Sequence, residues 1–306
     1  MADTVTATDD RHAGLVPDAT RLGPVHIAVT EVERALSVWR DMVGLTVLSR
    51  GDDAVTLGAG QTPLIVLEPG AKRPVVPHTS GLYHVAIHVP ARKDLAVVIA
   101  RLIASQFRNS PTDHLVTETT YLWDLDGNGI EMTFETPERG TLVMDGSGFR
   151  GVTADGKPHS GREPVDLASM LDELRRGEPL DVPLPAGTRI GHIHVHVADL
   201  DAAMRFYSDV LGFQRQMLSR SFHMGDVTVD FPPHIITWNT WAGEGAPQAP
   251  PESAGLRWFT INLPTAAAFA AMRARLTDAG ARLTEINGAI ETQDPSGNRM
   301  RIRVAG

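Results

Sequence analysis

Cysteine is absent from the 306 residues. Disulfides, thiolate metal sites and cysteine nucleophiles are therefore excluded together. No apolar run approaches the roughly 20 residues that a membrane span needs. Positive charge is also short: the formal net charge is −9, which argues against a broad attraction to nucleic acid or to an anionic membrane surface. The first residues, MADTVTATDDRHAG, lack a basic region followed by an apolar one. They read as a disordered lead over 1–21 rather than a signal peptide, so the cytoplasm is the default location. What the chain does have is histidine, 12 of them, in a composition that is 42% hydrophobic and 21% charged. This is a soluble globular composition, long enough for about two domains. Any metal site must be built from His, Asp and Glu.

The order in the sequence is a repeat. LGPVHIAVTEVERALSVWRDMVGL (22–45) and IGHIHVHVADLDAAMRFYSDVLGF (190–213) align without a gap. Each reads as an alternating strand, a helix and a glycine stop. Thr30 and Glu33 have capping-box spacing at the first helix start. A second kind of unit follows each copy, opening with GLYHVAIHVP (81–90) and GLRWFTINLP (255–264). These units close with DLDGNGIEM (124–132) and DPSGNRMRI (294–302). Four modules result, at 22–68, 81–136, 190–242 and 255–304, each strand–helix–strand–strand–strand. A connection over 137–189 separates the second from the third. It is rich in glycine and polar residues at first, then carries an amphipathic pattern over PVDLASMLDELRRG (164–177). One module exposes an apolar sheet face, so modules must pair to bury it.

Four such modules, with FYSDVLGF at 206–213 and DGNGIE at 126–131, resemble the vicinal oxygen chelate superfamily. Glyoxalase I, bleomycin-resistance proteins and type I extradiol dioxygenases belong to it. The resemblance implies an α+β fold of four βαβββ modules paired into two half-open barrels. Modules 1 and 2 would fill 22–136 and modules 3 and 4 would fill 190–306, with a helix in the connection between them. It also implies a divalent metal in one cup. Carried over by position, the first-strand ligand falls on His26, His84, His194 and Trp258. The last-strand ligand falls on Glu131 and Arg301, and near Leu64 and Trp238 in modules 1 and 3. Module 2 thus offers His84 and Glu131, and a partner module offers the third ligand. That is His26 if modules pair 1–2 and 3–4, or His194 if they pair 2–3 and 1–4. Strict alternation puts His234, Ile236 and Trp238 on one face of a strand. A histidine and a tryptophan there suit a substrate-binding wall, which favours His194.

Two histidines and a carboxylate form the facial triad of non-haem Fe(II) oxygenases, and Mn(II) accepts the same set. In the extradiol enzymes a tyrosine lies ten residues before the glutamate ligand, as Tyr121 does before Glu131. A histidine after an aspartate acts in acid–base catalysis, as Asp113–His114 suggests here. The resemblance therefore implies an Fe(II)-dependent extradiol dioxygenase, nearest the catechol 2,3-dioxygenase group, that cleaves a small catechol-type aromatic with O2. A hydroquinone-type dioxygenase, a glyoxalase-like lyase or isomerase, and a drug-sequestering binding protein are the alternatives. Exposed sheet edges make a homo-oligomer plausible.

Overall fold

Each repeat folds as its pattern implies. Module 1 has the strand Arg21–Ala28, the helix Val32–Trp39 and the strands Thr46–Arg50, Val55–Ala59 and Thr62–Glu68. Module 2 runs Gly81–His88, helix Arg92–Ala104, then Ser110–Asp113, Thr117–Trp123 and Gly129–Glu135. Module 3 runs Arg189–His196, helix Leu200–Met204 with a π turn over Arg205–Val210, then Gln214–Ser219, Met224–Thr228 and Ile236–Asn239. Module 4 runs Gly255–Leu263, helix Ala266–Asp278, then Thr284–Ile286, Ala289–Gln293 and Arg299–Val304. The computed structural model describes residues 15–145, 148–229 and 234–306; residues 1–14 of the expected lead lie outside them.

The modules do not pair with their chain neighbours. The first strands of modules 1 and 4 run antiparallel, with His26 opposite Trp258, and join an eight-stranded sheet. The first strands of modules 2 and 3 do the same, with His194 opposite His84, in a nine-stranded sheet. The connection supplies this sheet's outermost strand, Glu163–Pro164, against Ser110–Asp113. Each sheet is a half-open barrel, a cup drawn from two distant parts of the chain. Alternation divides the faces. Val85, Ile87, Ile193 and Val195 enter one continuous apolar core. His84, His88, His192, His194 and His196 therefore point the other way, into the cup.

Chain neighbours are instead tied through their helices and last turns. Asp124 accepts hydrogen bonds from the Asp126 and Asn128 amides and from the Asn128 side chain at 2.8–2.9 Å. It also accepts one from Trp39 Nε1 at 3.0 Å, across from module 1. Asp294 repeats the arrangement with Ser296, Asn298 and, from module 3, the Tyr207 hydroxyl at 2.9 Å. The matching LDGN (125–128) and PSGN (295–298) turns are thus buried carboxylate knots. Gly127 (φ +95°) and Gly297 (φ +86°) supply the left-handed residue each one needs.

Two local expectations change. Thr30 does not cap the helix of module 1. Its N–H and hydroxyl both donate to Asp126 at 2.7 Å, and the N-cap residue is Glu31. The helix of the connection is short, Leu167–Leu171 only, capped by Asp166 accepting from Ser169 N. The glycine-rich part before it forms a three-stranded sheet from Gly140–Asp145, Gly148–Thr153 and Pro158–His159.

Candidate metal centre

Three donor atoms converge in the cup of modules 2 and 3. His84 Nε2 lies 2.8 Å from Glu131 Oε2, His192 Nε2 lies 3.1 Å from the same oxygen, and the two nitrogens are 3.1 Å apart. All three side chains are buried, at 4%, 3% and 5% exposure. Their placement follows from the ladders. Glu131 stands beside Ala86 in the parallel pairing of Gly81–His88 with Gly129–Glu135. His192 stands opposite Ala86 in the antiparallel pairing with module 3. Glu131 and His192 thus flank Ala86 from either side, on the strand face that carries His84 two residues away. Among the described residues this is the group of His, Cys, Asp and Glu side chains able to hold a metal ion.

The arrangement fits a cation. Ligands about 2.1 Å from a metal, at right angles on one octahedral face, stand about 3 Å apart. Hydrogen bonds fit the triangle less well. Burial pushes the Glu131 carboxyl up, but the two imidazoles outweigh it and hold it well below the usual carboxylate range. Burial holds His192 down at about 4, against the pull of Glu131. With Glu131 ionised, each Nε2 presents either an N–H or a lone pair, so one of the three contacts always brings two lone pairs or two N–H groups together. A cation accepts a lone pair from all three atoms.

The residue that completes the triangle is therefore His192, two positions before the expected His194. His194 instead accepts a hydrogen bond from Asn239 Nδ2 at 2.7 Å, although its ring is only 4.8 Å from that of His84. Asn239 is fixed in this orientation because its oxygen takes His196 Nδ1–H at 2.7 Å and Trp241 N–H at 2.9 Å. Burial, with the surrounding histidines, holds His194 well below the ordinary imidazole range. The displacement has a plain cause: the gapless repeat aligns His194 with His26, but neither shares the position of His84. The helix start is the better ruler. His84 stands seven residues before the N-cap Ala91, and His192 seven before the N-cap Asp199. By the same count module 1 offers Pro24 and module 4 offers Trp258. The ladders place Val66, Thr237 and Arg301 where module 2 has Glu131, rather than Leu64 and Trp238.

His26 lies in the other cup. Its Nδ1 is 2.8 Å from Glu68 Oε1, and its ring stacks on Trp258 at 3.9 Å. Arg301 lies 3.6 Å from the Trp258 centroid and is paired with Glu291 at 2.8 Å. In this cup His26 thus pairs with Glu68, and Arg301 with Glu291.

His114 and Tyr121 meet at the first centre. Tyr121 is directly across the ladder from Glu131, and its hydroxyl is 2.9 Å from His114 Nε2. His114 Nδ1 is 2.7 Å from the Gly161 carbonyl. A carbonyl only accepts, so Nδ1 carries the proton, and in that tautomer Nε2 accepts from Tyr121. Burial, and then Glu131, push the phenol well above 10. The turn carrying His114 is itself held: Asp113 accepts Leu115 N–H at 2.7 Å and pairs with Arg139 at 2.6 Å, while Leu115 takes a left-handed φ of 69°.

His234 reaches the cup and Trp238 does not. The His234 ring is 4.4 Å from that of His192, and its Nδ1 is 3.4 Å from Asp226. Trp238 is fully buried in the core, stacked on Tyr207 at 5.1 Å and lying over Gly225. Ile235 and Ile236 both enter the core, so alternation breaks between them and the two residues part. Sequence reasoning also passed over Tyr83 and Trp241. Their rings are 5.2 Å apart at right angles, and Trp241 is 40% exposed.

Comparison with known proteins agrees with this architecture. The Glyoxalase/Bleomycin resistance protein/Dioxygenase superfamily pattern matches residues 21–132 and 189–302. A catechol-2,3-dioxygenase of Bacillus subtilis (strain 168) is 35% identical over 283 residues, spanning 92% of this chain and 95% of its own. Among solved structures, a provisionally named dioxygenase from Bacillus subtilis subsp. subtilis str. 168 superposes with a TM-score of 0.62 at 12% identity, over 93% of this chain and 84% of its own. Glyoxalase I from Zea mays does so with 0.53 at 14%, over 94% and 92%. At such identities these two structures speak to the fold alone. The matched segments cover all four repeats, and the chain belongs to the Glyoxalase/Bleomycin resistance protein/Dioxygenase superfamily.

Proposed function

We propose that the protein is an extradiol dioxygenase that uses Fe(II) and O2 to open the ring of a catechol-type aromatic. The observation that carries the reading is the buried triangle of His84, Glu131 and His192, with atoms 2.8–3.1 Å apart. The catechol-2,3-dioxygenase of Bacillus subtilis, similar over almost its whole length, supports it. His84, His192 and Glu131 would hold the ion. When bound, Fe(II) supplies an open coordination face on which a catecholate and O2 are brought together.

The surrounding residues do the rest. The Tyr121 hydroxyl oxygen can accept a proton from a substrate hydroxyl as its own proton passes to His114 Nε2. The Gly161 carbonyl keeps that imidazole turned toward Tyr121 as it becomes charged. Such positioned proton transfer is worth about 10²–10⁴-fold in rate. His234, against His192 and beside Asp226, is a second imidazole on the cup face, placed to meet substrate. Tyr83 and Trp241 form an aromatic wall beside His194 that suits a flat ring. The test is anaerobic loading with Fe(II), metal analysis, then catechol and air. Yellow ring-opened product is expected. One bound metal with no product from simple catechols would overturn the dioxygenase reading.

A further inference from the structure

Behind the proposed ligand His192 lies a row of polar groups, buried His88 and half-buried Glu135, that the reaction described above does not use. His88 follows His84 by four residues on the same strand and is 3% exposed. Its Nδ1 is 2.6 Å from Glu135 Oε1, and its Nε2 is 3.4 Å from His192 Nδ1. Glu135 follows Glu131 by four residues on the neighbouring strand and is ion-paired with Arg189.

We infer that Glu135 and His88 are positioning residues: a hydrogen-bonded strut that fixes the tautomer and ring orientation of His192. The inference rests on the reading of His192 as a metal ligand. Glu135 is ionised beside Arg189 and can only accept, so His88 Nδ1 carries the proton. In that tautomer His88 Nε2 offers a lone pair 3.4 Å from His192 Nδ1, which fills it as the donor. This leaves the lone pair of His192 on Nε2, the atom that faces His84 and Glu131. Carboxylates that orient metal-binding imidazoles usually do so directly; here a second histidine spans the distance. His84 has no such support, since its Nδ1 is buried without a partner among the described residues.

The backbone is cut to fit this strut. A Cβ on Gly191 would come within 2.0–2.3 Å of three atoms of the His88 ring. Only glycine leaves room for the ring. The same residue lies at the register shift between Ile190 and His192 in the pairing with Gly81–His88. Such irregularities re-aim the side chain that follows them. One glycine thus both admits His88 and aims His192.

The test compares His88→Gln with His88→Asn. The glutamine amide reaches the place of Nε2 and can accept from His192. The asparagine amide reaches only the place of Nδ1. Apo-protein is titrated with Co(II), followed by calorimetry and by the visible spectrum of the bound ion. The His88→Gln protein is expected near the wild-type Kd. His88→Asn is expected to bind about tenfold more weakly, the lower end for lost ligand support given the 3.4 Å spacing, with an altered spectrum. Gly191→Ala should behave like His88→Asn. Equal Kd values and spectra for Gln and Asn would overturn the strut. Wild-type protein supplies a check that needs no variant: nitrogen NMR should find His192 of the Zn(II)-loaded protein protonated at Nδ1, and a deprotonated Nδ1 would overturn the assignment. His192→Ala separates the two readings. If it binds Co(II) as wild type does, the metal centre itself is wrong. If it loses the ion while His88→Asn does not, only the strut is wrong.

Discussion

Asp226 offers a stability test of the cup that does not depend on metal. It lies on Met224–Thr228 directly across from Thr237 and is 4% exposed. Burial pushes its carboxyl up to about 8, against a hydrogen bond from the Met217 backbone. One of its oxygens has no hydrogen-bond partner among the described residues. In the unfolded chain the group titrates near 3.9. Between these two values the native state holds a proton that the unfolded state has released. Stability from this group is therefore full below about pH 4 and is lost as pH rises through about 8. A shift of about four units sets a ceiling of about 5 kcal/mol, and the proximity of His234 at 3.4 Å lowers it. Asp226→Asn keeps the shape and stays neutral at every pH, so it removes this dependence. Urea unfolding of both proteins at about pH 5 and pH 8 cancels the groups that do not touch Asp226. The asparagine protein should gain on wild type at the higher pH by a few kcal/mol. A difference that is the same at both pH values, or that favours wild type at pH 8, would refute the reasoning.

Further outcomes follow from individual contacts. Tyr121→Phe removes the hydroxyl that faces His114 and should lower kcat by about 10²-fold with metal affinity unchanged, since the loss is of proton transfer alone; steady-state kinetics and metal analysis check both halves. Asp124→Ala strips the acceptor from four N–H groups, including Trp39 Nε1, and should cost about 3 kcal/mol, read as a lower thermal midpoint. Asp294→Ala should cost a similar amount at the matching turn. His26→Ala should leave metal stoichiometry at the wild-type value, because His26 faces Glu68 in the other cup.

The legible parts of the fold were those set by local pattern. Alternating strands, helix starts and glycine stops repeat every few tens of residues, and they marked all four modules. Pairing was not local. Short linkers between modules 1 and 2 favour neither arrangement, because the buried ties across them run through Trp39 and Asp124 rather than through a ladder. The sequence contains both residues but nothing that joins them. At the site, His84 and Glu131 lie in regular strands and the structure brings them together. The donor that meets His84 and Glu131 is His192 rather than the expected His194 because three histidines alternate on one cup face, and a repeat aligned to module 1 is anchored on a copy that carries Pro24 at the equivalent position. Counting back from the helix start distinguishes them. Trp238 was misplaced because the strand loses its alternation at Ile235–Ile236, and no composition signal marks such a step. His88 reads in sequence as one more strand histidine; only the hole at Gly191 shows its use.

The most direct measurement is Fe(II) binding by apo-protein under anaerobic conditions, for wild type, His192→Ala and His194→Ala. About one tightly held ion is expected for wild type, with its loss in His192→Ala and its retention in His194→Ala, where a hydrogen bond to Asn239 is removed rather than a ligand. Retention by His192→Ala together with loss in His194→Ala would contradict this expectation and return the third ligand to the position that the repeat alone suggests.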